Sequence, residues 1–431
     1  MGHHIHKQYS SEEVKQYFTW YEDGVMTKSQ VLDALGVKDS RFYALLAQFR
    51  DKPKQFSVGY GRTRANNALP PAVVRQIRTE LELEHSSIVN PAMPIMFYNY
   101  AAIRDAVETV TRQTLSAQSV VNYARKWGFY IERPKAKQHT REVLTDTVGL
   151  LLQHDASTHQ WSPYALRPDG RPQKWSLITT LDDHSRMLLY AGLFEHESAW
   201  AHIQAIESVV LGYGVGAQYY SDNHAIFRYV ANRERDNLSA ANYQRVLGTD
   251  DVAPQWKQCV EATGMKVTYA LSPEAKGKIE RPYRWLQDRI VRRATRENAH
   301  GIADVRQLIA QEVNRYNHRQ VHSTTKDIPV RRFERAVSDG RSCFRPLDLA
   351  HTRPPVTSTK DIFCLRTIRK SNGYGRISLA SNQLSVPGHL PDGTAVTLHI
   401  IPGSDLTEVR FLRNNTVLGY QQIPTPTSLQ F

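Results

Sequence analysis

The chain has 431 residues, is 41% hydrophobic, and carries 55 Lys plus Arg against 42 Asp plus Glu, a net charge of +13. That length is room for roughly two to four domains of about 100–200 residues, and the charge excess on a folding-competent composition points to a polyanionic partner. Cys259, Cys343 and Cys364 are scattered without C-x-x-C spacing, which argues against a disulfide framework or zinc ribbon and fits a reducing compartment. No apolar run approaches the ~20 residues of a membrane span, and the N-terminus lacks a signal-peptide core.

Residues 1–54 read as a small helical domain. Ser10 or Ser11 caps a first helix with Glu13 behind it, and Val14, Tyr17, Phe18 and Tyr21 form its apolar face. A second helix from Thr27 to Leu35, a turn at Gly36-Val37 and a third helix from Asp39 to Phe49 give a helix-turn-helix pattern, in which Arg41 on the last helix is a candidate DNA contact. Gln55 to Asn67 lacks periodicity and holds Arg62 and Arg64, so it reads as a basic linker able to track phosphates or a minor groove. Residues 68–130 form a second helical unit. Its expected helices are Leu69–Leu83, Asn99–Val110 and Leu115–Trp127, the last ending in the candidate DNA contacts Arg125 and Lys126.

A basic linker over 131–146 leads to Leu150–Asp155, a short apolar run expected to be a strand with an acid at its C-terminal end. Two β-rich runs follow, Lys174–Leu181 and Arg186–Phe194, joined by Asp182-Asp183-His184-Ser185, a turn by composition. Glu197–Tyr213 is an expected helix with Trp200, Ile203, Ile206 and Val210 inward, and Ala217–Tyr220 is the next strand, ending at Asp222. The polar stretch 228–251 reads as an insertion, lengthening the spacer between Asp222 and Glu280 to 57 residues. After it come a helix over Pro254–Thr263 and a strand over Met265–Leu271. Ile279, Tyr283, Leu286 and Ile290 then recur at helical spacing, and Pro282 sets the helix start near Gly277 or Lys278. Glu280 thereby falls in the first turn, where the helix dipole favours a carboxylate. Another helix is expected over Ile302–His318, and a linker over 326–357. From 358 to 424 five short strands (Ile362–Arg369, Arg376–Val386, Ala395–Ile401, Leu406–Leu412, Val417–Ile423) split by Asn-Gly, Pro-Gly and Asp-Gly turns suggest a small β-barrel.

Three blocks carry a family resemblance: Asp155-Ala-Ser-Thr-His-Gln-Trp161, Tyr220-Ser-Asp-Asn-His-Ala-Ile-Phe227 and Ser272-Pro-Glu-Ala-Lys-Gly-Lys-Ile-Glu-Arg281. They resemble the DDE blocks of bacterial insertion-sequence transposases with a retroviral-integrase core, closest to the ISNCY group. The resemblance implies a multidomain α+β protein: N-terminal helix-turn-helix modules, a ribonuclease H-like α/β core over 147–325, and a C-terminal β domain. It implies Asp155, Asp222 and Glu280 as catalytic metal ligands holding two Mg²⁺, with Mn²⁺ able to substitute, since hard cations take carboxylate oxygens. Lys276, Lys278 and Arg281 stand beside the third carboxylate as candidate strand clamps. The implied partners are double-stranded DNA, both element ends and target, and further copies of the chain, at least a dimer. The implied location is the bacterial cytoplasm with the nucleoid, with no membrane association. A phage-type integrase and a transposase-derived DNA-binding regulator are the alternatives.

Overall fold

The computed structural model describes residues 5, 8–59, 69–91, 93–132, 145–221, 254–269, 277–352, 354, 356–380 and 382–425, with the backbone alone for 277–281. The chain divides into two compact units, Met1–Val74 and Arg75–Phe431.

In the first unit, helices α1 (Ser11–Glu22), α2 (Lys28–Leu35) and α3 (Asp39–Asp51) follow the expected boundaries closely. Local chemistry explains why. Ser10 and Glu13 form a reciprocal capping box at α1, Thr27 and Gln30 form one at α2, and Gly36 ends α2 at φ 62, a left-handed conformation that costs glycine nothing. Phe18, Phe42, Leu45 and Phe56 close the core between the three helices.

The boundary falls within α4 (Pro71–Val89), and the second unit continues with α5 (Tyr100–Thr111, N-capped by Asn99) and α6 (Ala117–Lys126, N-capped by Ser116). Next comes a five-stranded sheet of order β3-β2-β1-β4-β5: β1 (Leu152–His159), β2 (Trp175–Asp182) and β3 (Leu188–Phe194) form an antiparallel meander. Strands β4 (Gln218–Ser221) and β5 (Lys266–Tyr269) run parallel to β1. Helices α7 (Ala199–Tyr213) and α8 (Gln255–Ala262) cover one face, burying Trp200, Ile203, Ile206 and Trp256. Helices α9 (Gly277–Glu297) and α10 (Ile302–Arg319) cover the other through Tyr283, Leu286, Ile290, Val305, Leu308 and Tyr316. Helix α9 starts at Gly277 as expected, but Pro282 is its sixth residue, so the ring stands in the second turn rather than the first.

Three expectations change. Asp155 is not at a strand end: β1 runs on to His159 because its antiparallel pairing with β2 continues from Leu152↔Asp182 to His159↔Trp175, after the parallel pairing with β4 has stopped at Gln153. The 326–357 linker contains α11 (Pro329–Ser338), followed by a segment bonded back to the core through the pairs Val148↔Ser342 and Val215↔Arg345. The C-terminal strands form no closed barrel: β6 (Leu365–Lys370), β9 (Ala395–Ile401), β10 (Leu406–Arg413) and β11 (Thr416–Pro424) make an open sheet of order β11-β10-β9-β6, and β7 (Arg376–Leu379) with β8 (Asn382–Ser385) makes a separate ribbon. At the outer edge of β6 the backbone groups of Arg366 meet a side chain of α8 where a closing strand would have to pair. Gln255 of α8 accepts from the Arg366 N–H at 2.6 Å and donates to the Arg366 C=O at 2.9 Å, acting as a one-residue strand mimic.

Candidate active site

Alternation along β1 decides which way its side chains face. Leu152 joins the apolar cluster with Trp200 and Trp256, and Ala156 packs with Ala201 and Ala205, so the even positions look toward α7 and α8. Asp155 therefore lies on the opposite face, with α9. Its cross-strand partner Thr179 is on that face too. The two strands meet α9 at one atom: the Tyr283 hydroxyl donates to the Asp155 C=O at 2.5 Å and accepts from Thr179 Oγ1 at 2.8 Å. Burial first, and then the Asp155 charge, push the Tyr283 phenol well above its ordinary pKa. It stays a donor across the working pH range.

On the other face the residue before Asp155 is fixed by a chain of polar contacts through the core. His154 Nδ1 lies 2.9 Å from Thr180 Oγ1, His154 Nε2 lies 2.8 Å from His202 Nδ1, and His202 Nε2 lies 3.1 Å from Glu197 Oε1. Both rings are fully buried. With Glu197 Oε1 as acceptor, His202 donates from Nε2; its Nδ1 then accepts from His154 Nε2, whose own Nδ1 accepts from Thr180. One donor and one acceptor then meet at each of these contacts, which is how a buried polar chain avoids the cost of unpaired groups.

Asp182 and Asp183 belong to the turn, as expected from composition. Asp182 accepts from the Gly149 N–H at 2.8 Å, the Ser185 N–H at 2.8 Å and the Ser185 hydroxyl at 2.6 Å. Burial raises its pKa against the lowering by these bonds. Asp183 pairs with Arg186 at 2.8 Å. Both are fully buried and held by protein groups, which leaves them a folding role.

Among the expected metal ligands, Asp155 is half-buried on β1. Glu280 is the fourth residue of α9, one turn before Tyr283. Asp222 follows the last residue of β4 and lies outside the described residues, as do Arg62, Arg64, Glu274, Lys276 and the 228–251 insertion. Among the described residues no group of three His, Cys, Asp or Glu is placed to hold a metal. The donor set itself is all carboxylate, which suits Mg²⁺ or Mn²⁺ and not a thiophilic metal. Lys278 and Arg281 are the second and fifth residues of α9. Arg125 and Lys126 are exposed at the end of α6, with the Arg125 guanidinium 4.4 Å over the Tyr130 ring, and Arg41 is half-buried near the start of α3. Sequence reasoning missed the hydroxyl of Tyr283, which it counted as an apolar-face residue, and the Glu197–His202–His154 chain, whose members are 5 to 48 residues apart.

No protein-family model matches the chain. It is 26% identical over 268 residues to the transposase-like protein y4bF of Sinorhizobium fredii, an alignment covering 61% of this chain and 48% of that one. It is 24% identical over 188 residues to the transposase for insertion sequence IS1202 of Streptococcus pneumoniae, covering 44% of this chain and 36% of that one. The chain thus spans about half or less of the length of the curated relatives it matches. Among solved structures it overlaps a simian T-cell lymphotropic virus intasome in complex with PP2A regulatory subunit B56 gamma (TM-score 0.32, 11% identity, 75% of this chain and 92% of that one). It also overlaps the HTLV-2 integrase catalytic core domain in complex with magnesium, trimeric form (TM-score 0.29, 12% identity, 44% and 98%). Scores this low do not define a common fold. The resemblance to transposases, carried in the sequence by the three acidic blocks, is matched by the names of both curated relatives, one of them an insertion-sequence transposase.

Proposed function

We propose, from the likeness to insertion-sequence transposases, that the protein binds the terminal repeats of a mobile element, cleaves its 3′ ends and joins them to target DNA by phosphoryl transfer. One observation carries the reading: Tyr283 bonds α9, the helix of Glu280, directly to the backbone of Asp155. Around it, β4 pairs parallel with β1 and ends one residue before Asp222. The strand order, an antiparallel meander extended by two parallel strands, is the one a ribonuclease H-like core requires. Asp155, Asp222 and Glu280 would hold two Mg²⁺, which when bound polarise the attacked phosphate and stabilise the leaving oxygen. What the chain itself does is orient: β1 and the second turn of α9, just behind the turn that carries Glu280, are joined at one hydrogen bond, and phosphoryl transfer depends on such positioning.

The helix-turn-helix reading of α2–α3 and α5–α6 assigns DNA binding to both helical modules, with Arg41, Arg62, Arg64, Arg125 and Lys126 on DNA and Lys276, Lys278 and Arg281 on the strand beside the active site. Two ends must be cut and joined together, so the working species is at least a dimer on DNA. The test compares neighbouring acids in one motif: protein, a labelled duplex of the DNA flanking its coding region, target plasmid and Mg²⁺. Glu280→Gln should abolish cleavage and joining while end binding stays near normal, and Glu274→Gln should keep most activity. An active Glu280→Gln protein, or a wild type that binds the duplex and never cuts it, overturns the reading.

A further inference from the structure

Helix α9 has two working faces. Tyr283, Leu286, Ile290 and Ala294 enter the core, while Arg289, Arg292 and Arg296 reach the second helical module. Arg296 pairs with Glu80 of α4 at 2.5 Å, Arg292 with Glu84 of α4, and Arg289 with Asp105 of α5 at 2.7 Å. The first two are successive rungs of an antiparallel ladder, since 292 and 296 stand one turn apart on one helix and 84 and 80 one turn apart on the other.

Arg292 is the centre. Its side chain is 5% exposed and that of Glu84 is 2% exposed. Every nitrogen of its guanidinium is used: Nη1 on Glu84, Nε on Asp288 at 3.1 Å, and Nη2 on Asp288 at 2.8 Å and on the Phe97 C=O at 2.6 Å. Glu84 in turn accepts from the Asn99 N–H at 3.1 Å, and the Asn99 side chain caps α5 through the Ala102 N–H and donates to Asp288. The start of α5 and the middle of α9 therefore share one buried network. Charge dominates this junction: a cavity of about 410 Å³ remains between α5, α9 and α10, lined by Arg289, Arg293, Arg315, Asp105 and Glu312 among others.

We propose that Arg292 is a positioning residue that couples the second helical module to the catalytic helix, so that DNA held by α5–α6 fixes α9 and with it Glu280. The coupling rests on the transposase reading above. A planar fork that ties α9 both to Glu84 of α4 and to the Phe97 carbonyl before α5 makes these segments move together, and a point charge cannot replace it.

The experiment uses the full chain with the same flanking-DNA duplex and Mg²⁺. Arg292→Lys should lower the maximal cleavage rate about tenfold while the Kd for the duplex changes by less than about threefold, the size expected of a lost coupling between sites. Arg296→Gln, on a rung whose arginine is 26% exposed, should shift the rate the same way by less, and it serves if Arg292→Lys does not fold. A second readout needs no catalysis: hydrogen exchange over Tyr283–Ile290 should slow when wild type binds the duplex and not when Arg292→Lys binds it. Variants that cleave at the wild-type rate, lose binding and cleavage equally, or show the wild-type exchange response overturn the coupling. A wild type that never cleaves but shows the DNA-dependent protection overturns the transposase reading and leaves the coupling supported.

Discussion

Tyr283 joins Asp155 and Thr179 through one oxygen, and its ring is part of the core beneath them. Tyr283→Phe keeps the ring and removes that oxygen, leaving the half-buried Asp155 carbonyl and the buried Thr179 hydroxyl without this partner. The stability cost should be about 1–3 kcal/mol, that of unmet buried polar groups, read as a lower denaturation midpoint with an unchanged slope. Because the hydrogen bond fixes the backbone that bears Asp155, end cleavage should fall further than end binding. The loss should be the same from neutral to mildly alkaline pH, since burial holds the native phenol protonated there. A Tyr283→Phe protein that is less stable yet cleaves normally would assign the hydroxyl to folding alone.

At the scale of elements, the C-terminal sheet is held to α8 of the core by a side chain that imitates a strand. Gln255 satisfies both edge groups of Arg366, while Arg366 Nη1 lies 3.4 Å from Cys259 Sγ and its Nη2 donates to the carbonyls of Asp361 and Ile362. Gln255→Ala should destabilise the sheet by about 1–3 kcal/mol through unpaired edge groups, seen as faster hydrogen exchange at Leu365–Thr367; unchanged protection there would mean water serves the edge as well. This docking was not legible in the sequence, because Gln255 and Arg366 are 111 positions apart and neither belongs to a local pattern. What was legible had a local cause. Capping boxes and a left-handed glycine set α1 and α2, and apolar periodicity set α9 and α10. The expected strand Arg376–Val386 was misread because it breaks after Leu379 with Ala380 at φ 46, a conformation no glycine or asparagine announced. In the candidate site, the chain positions of Asp155 and Glu280 could be read from motif context. The groups that hold their supports together, Tyr283 on β1 and Glu84 on α9, depend on contacts between residues 128 and 208 positions apart.

For the whole molecule, the excess of positive charge is not simply spread for DNA. The arginines of α9 that face the second module are matched by Glu80, Glu84, Asp105 and Asp288, so on that face charge serves assembly. Removing one partner should then cost the fold more than removing the whole module. Glu84→Ala in the full chain leaves Arg292 buried with Asp288 as its remaining countercharge, a loss of at most about 3–5 kcal/mol, whereas a chain starting at Thr145 returns Arg292 and Arg296 to water and gives up pairs whose net worth against desolvation is small. The shortened chain should therefore unfold at a higher denaturant concentration than the Glu84→Ala protein. Trp161, Trp175, Trp200, Trp256 and Trp285 survive the truncation and report the core by fluorescence. It should also bind the flanking duplex weakly, with a shallower salt dependence because fewer phosphates are contacted. A shortened chain that unfolds before Glu84→Ala would mean that apolar contact with α4–α6, and not the charge ladder, is what the five-stranded core draws from the second module.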